Sequence, residues 1–174
     1  NTGLAALADV AGLDKAVGEY ECSFVLGPRI NAAGRMGKSD IGVKLLIEQE
    51  HEKSVSLAIH LDELNKQRRA IEQEITEDAI KQAEVQLRQN PDLLALVIAN
   101  TNYNEGVLGI VAGRLKEIYS RPTFVMAVSK DNIAKGSGRS IPSIPLGNLV
   151  LAARQSGLLI SGGGHDMAAG ASLE

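Results

Sequence analysis

Four short stretches combine glycine with Arg, Asn, Lys, Ser or His, the residue types that hold an anion without bulk in its way. In Gly27-Pro28-Arg29-Ile30-Asn31-Ala32-Ala33-Gly34-Arg35-Met36-Gly37, Arg29 and Arg35 offer bidentate donors suited to phosphate or carboxylate, with the Asn31 amide between them. The same residues also fit a helix-capping loop whose arginines pair with nearby acids, and spacing leaves both readings open. In Asn102-Tyr103-Asn104-Glu105-Gly106, Asn104 stands where a helix begins, so it serves either as a plain cap or beside free N–H groups that attract an anion.

The third stretch, Lys135-Gly136-Ser137-Gly138-Arg139-Ser140, sets two cations and two hydroxyls among glycines. It is not a Walker loop, because the Lys precedes the glycines. On an extended segment Ser137 and Arg139 share one face, so a hydroxyl and a guanidinium can grip one phosphate; the alternative is a tight turn in a solvated hairpin. The fourth stretch runs from Ser161 through Gly162, Gly163, Gly164 and His165 to Gly170. Consecutive glycines cost backbone entropy and predict a sharp bend or a close approach to a ligand. His165 beside them can donate to a phosphate or a leaving oxygen.

No group of His, Asp and Glu has metal-ligand spacing. Cys22 lacks a His partner and reads as a small buried apolar residue. The chain therefore offers groups that grip phosphate and no reaction centre of its own.

The elements that must position these groups follow from apolar spacing. Residues 4–13 read as a short helix and residues 23–37 as a loop. A helix starts at Ser39 or Asp40, and a longer one spans roughly residues 53–89. In it Leu57, Leu61, Leu64, Arg68, Ile71 and Ile75 form a heptad-like stripe that Asn90-Pro91 ends. Its length predicts a connector between two lobes. Beyond Pro91 the period changes: strands at 94–99, 123–128 and 133–141 alternate with helices at 106–119 and 146–154. The fold class expected is α/β, a small open sheet flanked by helices and preceded by a long connector helix.

These four stretches together, GPRINAAGRMG (27–37), NEGVLGIVAGRLKE (104–117), AKGSGRSIP (134–142) and GGGHDMAAG (162–170), resemble the RecJ family of single-strand-specific exonucleases within the DHH phosphoesterase superfamily. The resemblance implies a tail of the catalytic DHH lobe at 1–38, an interdomain connector helix at 39–90 and a DHH-associated substrate-binding domain at 91–174. It implies 5′ to 3′ phosphodiester hydrolysis of single-stranded DNA in repair and recombination, in the cytoplasm and without a membrane. Mn or Mg would serve the complete enzyme, held by aspartates and histidines expected upstream of Asn1, where the start without Met suggests a trimmed chain; this segment would bind no metal and be inactive alone. Its partners would be single-stranded DNA and the upstream DHH lobe.

By residue, the resemblance gives Arg29 and Arg35 a place facing the metal lobe, and Ser137 with Arg139 a terminal phosphate. His165 has a supporting catalytic role at the scissile or adjacent phosphate. Asn31, Asn104, Lys135, Gly136, Ser140, Gly162, Gly163 and Gly164 complete the nucleic-acid-binding set. Tyr103-Asn104 departs from the family's frequent Trp-His, and Asp166 from a frequent Ala. Two rivals remain: a phosphoesterase for short oligonucleotides or cyclic dinucleotides, and an RNA-binding module of the kind appended to alanyl-tRNA synthetases.

Composition sets the outer bounds. At 174 residues, with 44% hydrophobic and 22% charged, the chain is neither disordered nor a coiled coil throughout. With 3% aromatics and no Trp, its core must be Ala, Val, Ile and Leu. No apolar run approaches the roughly 20 residues that span a bilayer. The net charge of −3 hides a contrast: residues 1–38 balance to 0, residues 39–90 carry −4 and residues 91–174 carry +1. The acidity belongs to the predicted long helix, which leaves room for a local basic site in the last segment.

Overall fold

The computed structural model describes residues 1–174, which form two compact units, Asn1–Ala70 and Ile71–Glu174. In chain order the helices of the first unit are α1 (Thr2–Val10), α2 (Glu19–Glu21), a π-helical turn (Cys22–Leu26), α3 (Gly27–Arg35) and α4 (Asp40–Ile47). The helix α5 (His51–Gln89) passes from the first unit into the second. At about 1.5 Å per residue it is close to 60 Å long.

The first unit closes around Leu7, Leu26, Ala32, Leu45 and Leu61. Small residues set its spacing: a Cβ on Gly3 would lie 1.9 Å from the Leu45 carbonyl oxygen, so α1 and α4 touch through backbone. The segment expected as a loop, residues 23–37, is mostly helical. Pro28 is tolerated because it sits in the first turn of α3, where its missing N–H removes little. The π turn before it absorbs the irregularity, with the Gly27 N–H donating to Cys22 O. Cys22, expected to be buried, is exposed on that turn.

The second unit is an open five-stranded sheet of β1 (Leu96–Asn100), β2 (Thr123–Val128), β3 (Ala134–Arg139), β4 (Ser161–His165) and β5 (Ala168–Leu173), with α6 (Leu108–Tyr119) and α7 (Leu146–Gln155). The order is β1-β2-β3-β5-β4; β1 and β2 are parallel and the other pairs antiparallel. This bears out the α/β class with an open sheet and a long helix.

Two clusters fix which face each side chain takes. Leu96, Ile98, Val125 and Ala127 point to one face and pack against Val111 and Leu115 of α6 and Ile75, Ala79 and Ala83 of α5. Leu115 is fully buried there, and its truncation to Ala would cost about 2–5 kcal/mol. On the other face Leu146 and Val150 of α7 pack with Phe124, Ala169 and Ala171.

The two glycines inside β3 belong to the α7 face. A Cβ on Gly136 would lie 2.7 Å from Met126 Cγ, and one on Gly138 would lie 2.6 Å from the Phe124 ring. Long side chains of β2 thus lie across β3, and glycine makes the room.

The triple glycine is not a bend. It runs as the edge strand β4, held by β5 in the register Ser161 to Ser172, Gly163 to Gly170 and His165 to Ala168. Pairing on one side suffices to hold glycine extended, and β5, absent from the sequence reading, is the strand that does so.

Candidate nucleic-acid interface

Alternation along β3 sends Lys135, Ser137 and Arg139 to the α6 face, opposite its glycines. Their register partners on β5 are Ser172, Gly170 and Ala168. The next strand adds Ser161, Gly163 and His165. Directly paired residues of antiparallel strands point to the same side, so three rows cross this face. One is Arg139, Ala168, His165; the second is Ser137, Gly170, Gly163; the third is Lys135, Ser172, Ser161. The outcome is a shelf with a low floor, bordered by a cationic row on β3 and an imidazole on β4.

The row on β3 brings two cations and a hydroxyl to one face. Arg139 Nη1 donates to Ser137 Oγ at 2.9 Å and to Gly138 O at 2.8 Å. Because Ser137 accepts there, its own hydroxyl proton is left to donate elsewhere. The guanidinium lies against the first turn of α6: a Cβ on Gly109 would be 2.7 Å from Arg139 Nη2 and 3.0 Å from Ser137 Oγ. Gly109 lies within the stretch 104–117, but its role shows only in this contact across the sheet.

Asn104 behaves as a cap. Its Oδ1 accepts from the Gly106 N–H at 2.8 Å, and its neighbour Glu105 stands 3.7 Å from Lys135 Nζ. Ser140 is fully buried just beyond β3; its Oγ donates to Ile144 O at 2.8 Å and its N–H to Met167 O at 3.0 Å. That fastens the end of the row and leaves the hydroxyl engaged.

The three glycines of β4 divide by face. A Cβ on Gly164 would lie 2.3 Å from Ala168 O, and one on Gly162 would lie 2.7 Å from Val150 Cγ1. Both are glycine because the protein itself fills the space. Gly163 meets nothing within 4 Å, and its pair Gly170 meets only Gly136 O at 3.7 Å. His165 is exposed at the end of this strand.

At the carboxyl end of β1 a polar crevice of about 410 Å³ is lined by Glu74, Asp78, Asn100, Asn102, Tyr103 and Asn104. Its centre is satisfied internally. Asp78 Oδ2 accepts from Tyr103 Oη at 2.6 Å, Gln82 Nε2 at 2.9 Å and Asn100 Nδ2 at 3.2 Å. The Tyr103 hydrogen bond, against burial and with help from Gln82 and Asn100, holds the Asp78 carboxyl below its ordinary value. Burial first, then that carboxylate, pushes the Tyr103 phenol well above its own. On the α7 face, an apolar groove of about 300 Å³ is lined only by hydrophobic side chains such as Val97, Phe124 and Leu149. It offers no group for phosphate chemistry.

The residues of the first motif lie in the first unit, on α3. Asn31 and Arg35 are exposed. Arg29 is half-buried: Nε donates to Asp62 Oδ1 at 2.8 Å and Nη1 to Val25 O at 2.8 Å. For this arginine the geometry is that of a pair with a nearby acid. Burial would raise the Asp62 carboxyl, yet its hydrogen bonds from Lys66 and Arg29 hold it below its ordinary value.

Three or more His, Cys, Asp or Glu side chains nowhere converge as a metal site. The residues present do not fit a catalytic Mn²⁺ or Mg²⁺ centre, so the chemistry of this chain is derived without one. No helix is long and apolar enough to cross a membrane.

Residues 90–174 match the DHHA1 domain family. The single-stranded-DNA-specific exonuclease RecJ of Dickeya dadantii is 40% identical over 176 residues, covering 98% of this chain and 30% of that protein. The protein of the same name from Escherichia coli is 38% identical over 177 residues, covering 99% and 30%. Among solved structures, RecJ of Thermus thermophilus in complex with Mn²⁺ superposes with a TM-score of 0.83 at 32% identity. It covers 99% of this chain and 24% of that one. The chain thus spans about 30% of the length of the first two relatives.

Proposed function

The chain belongs to the RecJ family, with a DHHA1 domain at residues 90–174, and from that premise we propose that its sheet holds the single strand for a 5′ to 3′ exonuclease of single-stranded DNA. The observation that carries the reading is the common face of Ser137, Arg139 and His165, with the start of α6 beside the guanidinium. Arg139 and Ser137 take the terminal phosphate. The Gly163–Gly170 floor lets the sugar–phosphate backbone lie close, and His165 donates to a phosphate further along. Arg35 and Asn31 are exposed on α3, and Arg29 stiffens that helix through Asp62.

In this reading residues 1–38 are the tail of a catalytic DHH lobe, residues 39–90 connect it and residues 91–174 bind substrate. Hydrolysis needs the metal ligands of that lobe, which the whole protein supplies in the cytoplasm, so the 174-residue chain binds strands without cutting them. What this chain contributes is positioning: it fixes the end of the strand, so that distance from the terminal phosphate selects the bond to be cut.

The test compares single strands bearing 5′-phosphate and 5′-hydroxyl ends, measured by fluorescence anisotropy at one fixed salt concentration. Arg139→Ala is expected to weaken the phosphorylated strand about 10- to 100-fold, as loss of a charge-assisted bidentate contact implies, and the hydroxyl strand much less. Equal losses for both ends would refute the terminal-phosphate role. Metal-dependent hydrolysis by the purified chain would refute the division of labour.

A further inference from the structure

The third row of the shelf, Lys135 with Ser172 and Ser161, is not used by a terminal phosphate held at Ser137 and Arg139. We infer that it is a second phosphate subsite, for the phosphodiester following the terminal phosphate, and that Glu105 is the counter-ion occupying it while no strand is bound. This rests on the proposed role of Ser137 and Arg139.

Register supports the placement. Lys135 pairs with Ser172, and Ser172 with Ser161, so an ammonium and two hydroxyls stand side by side. They lie two residues along β3 from Ser137, about 6.6–6.8 Å at the rise of a strand, a step comparable with that between neighbouring phosphates of an extended single strand.

The chemistry is complementary. Ser161 Oγ donates to Ser172 Oγ at 3.2 Å. Its proton is spent on that contact, so the Ser172 proton remains for an incoming oxygen. Lys135 offers three N–H donors, and Glu105 stands 3.7 Å away, both side chains largely exposed. An exposed ion pair is weak, so a phosphate displaces the carboxylate readily. A lone phosphate held at Ser137 and Arg139 leaves this row to Glu105, whereas a strand with a second phosphate reaches it.

The experiment titrates the ¹⁵N-labelled 174-residue chain by NMR with two ligands. One is 5′-thymidine monophosphate, with a single phosphate; the other is 5′-phosphorylated dithymidylate, with two. Lys135→Gln is expected to weaken the dinucleotide about five-fold, and Ser172→Ala about two- to three-fold, with little change for the monophosphate. Glu105→Gln is expected to tighten the dinucleotide about two- to five-fold. On longer phosphorylated strands, Lys135→Gln should also lower the salt-dependence slope by about 0.7.

Equal effects of Lys135→Gln on both ligands, or none on either, would overturn the second subsite. A Glu105→Gln change that leaves dinucleotide affinity unaltered would overturn the counter-ion role. Arg139→Ala separates the two layers. If it abolishes monophosphate binding while Lys135→Gln spares the dinucleotide, only this inference fails. If Arg139→Ala leaves the monophosphate unaffected, or the wild-type chain binds neither ligand, the reading beneath it fails as well.

Discussion

Replacing Gly163 by Ala should make the protein more stable and a poorer binder. A glycine inside a strand costs about 0.5–1 kcal/mol relative to Ala through backbone entropy. The added methyl at 163 meets nothing within 4 Å, so no steric penalty offsets the gain. On an edge strand the smaller end of that range applies, and a gain of about 0.5 kcal/mol raises the melting temperature by roughly 1–2 °C for a chain of this size. The methyl stands on the floor of the shelf beside Gly170, where the strand backbone is proposed to lie, and should weaken binding about ten-fold. Gly164→Ala is the control, because its Cβ would lie 2.3 Å from the Ala168 carbonyl oxygen. Backbone must move there, at a cost of about 1–3 kcal/mol. The assay pairs thermal unfolding by circular dichroism with anisotropy titration of a 5′-phosphorylated single strand. If Gly163→Ala binds like wild type, nothing needs to approach that face and the shelf is not the interface. If it destabilises as much as Gly164→Ala, the assignment of faces is wrong.

Other outcomes follow from ion pairs and hydrogen bonds of buried or partly buried acids and of Tyr103. Glu72 is 4% exposed and 2.6 Å from Arg114 Nη2. Glu72→Ala should lose about 1–3 kcal/mol in urea unfolding, since it removes a nearly buried partner; a loss below about 0.5 kcal/mol would show the pair to be idle. Arg29→Ala should lower the melting temperature measurably, through the loss of its Asp62 and Val25 bonds; an unchanged melting temperature would show those bonds to be idle. Stability should fall in acid, because Asp62 and Asp78 are held below their ordinary value of 3.8. Their contribution is complete above that pH and is lost as the pH drops through the lower folded values. At the other end Tyr103 is raised from its ordinary 10.0, so the folded state keeps a proton that the unfolded chain releases. Stability should decline from about pH 10 upward, and Tyr103→Phe should reduce that alkaline loss to the part left by Tyr119, whose phenol burial and Glu84 also raise, which urea midpoints across pH would reveal.

The parts of the fold legible in the sequence are those where one period dominates. Of the stripe along α5, Leu61, Leu64, Arg68 and Ile75 are buried and Leu57 and Ile71 partly buried, as its spacing predicts, and the apolar runs of β1 and β2 are short, β-branched and followed by turns. The segment 23–37 reads as loop only when glycine and proline are counted without their positions. Pro28 falls in the first turn of a helix, where it is harmless, and Gly27 follows a π turn that needs close approach to Cys22 O, 2.9 Å from where a Cβ would stand. The buried Arg68 also interrupts the apolar stripe without breaking it, since Asn65 Oδ1 accepts from its guanidinium at 3.2 Å and 3.3 Å.

For the candidate site, residue types were legible and faces were not. Gly162, Gly163 and Gly164 carry one letter each, but strand alternation gives the middle one a different neighbourhood from the outer two, and only the register with β5 fixes the phase. The same register brings Ser161 and Ser172 beside Lys135, though Ser172 lies outside the four glycine-bearing stretches and the two serines are eleven residues apart in sequence. Spacing within a segment could pair Ser137 with Arg139, because both lie on one strand. It could not add Gly109, Gly170 or Glu105, which reach the row from α6, β5 and the turn before α6. The proposed interface, built across three strands and a helix start, is therefore readable along each strand and hidden between them. Its cross-strand members, Gly163 with Gly170 and Lys135 with Ser172, are the substitutions most able to distinguish a binding shelf from an ordinary sheet.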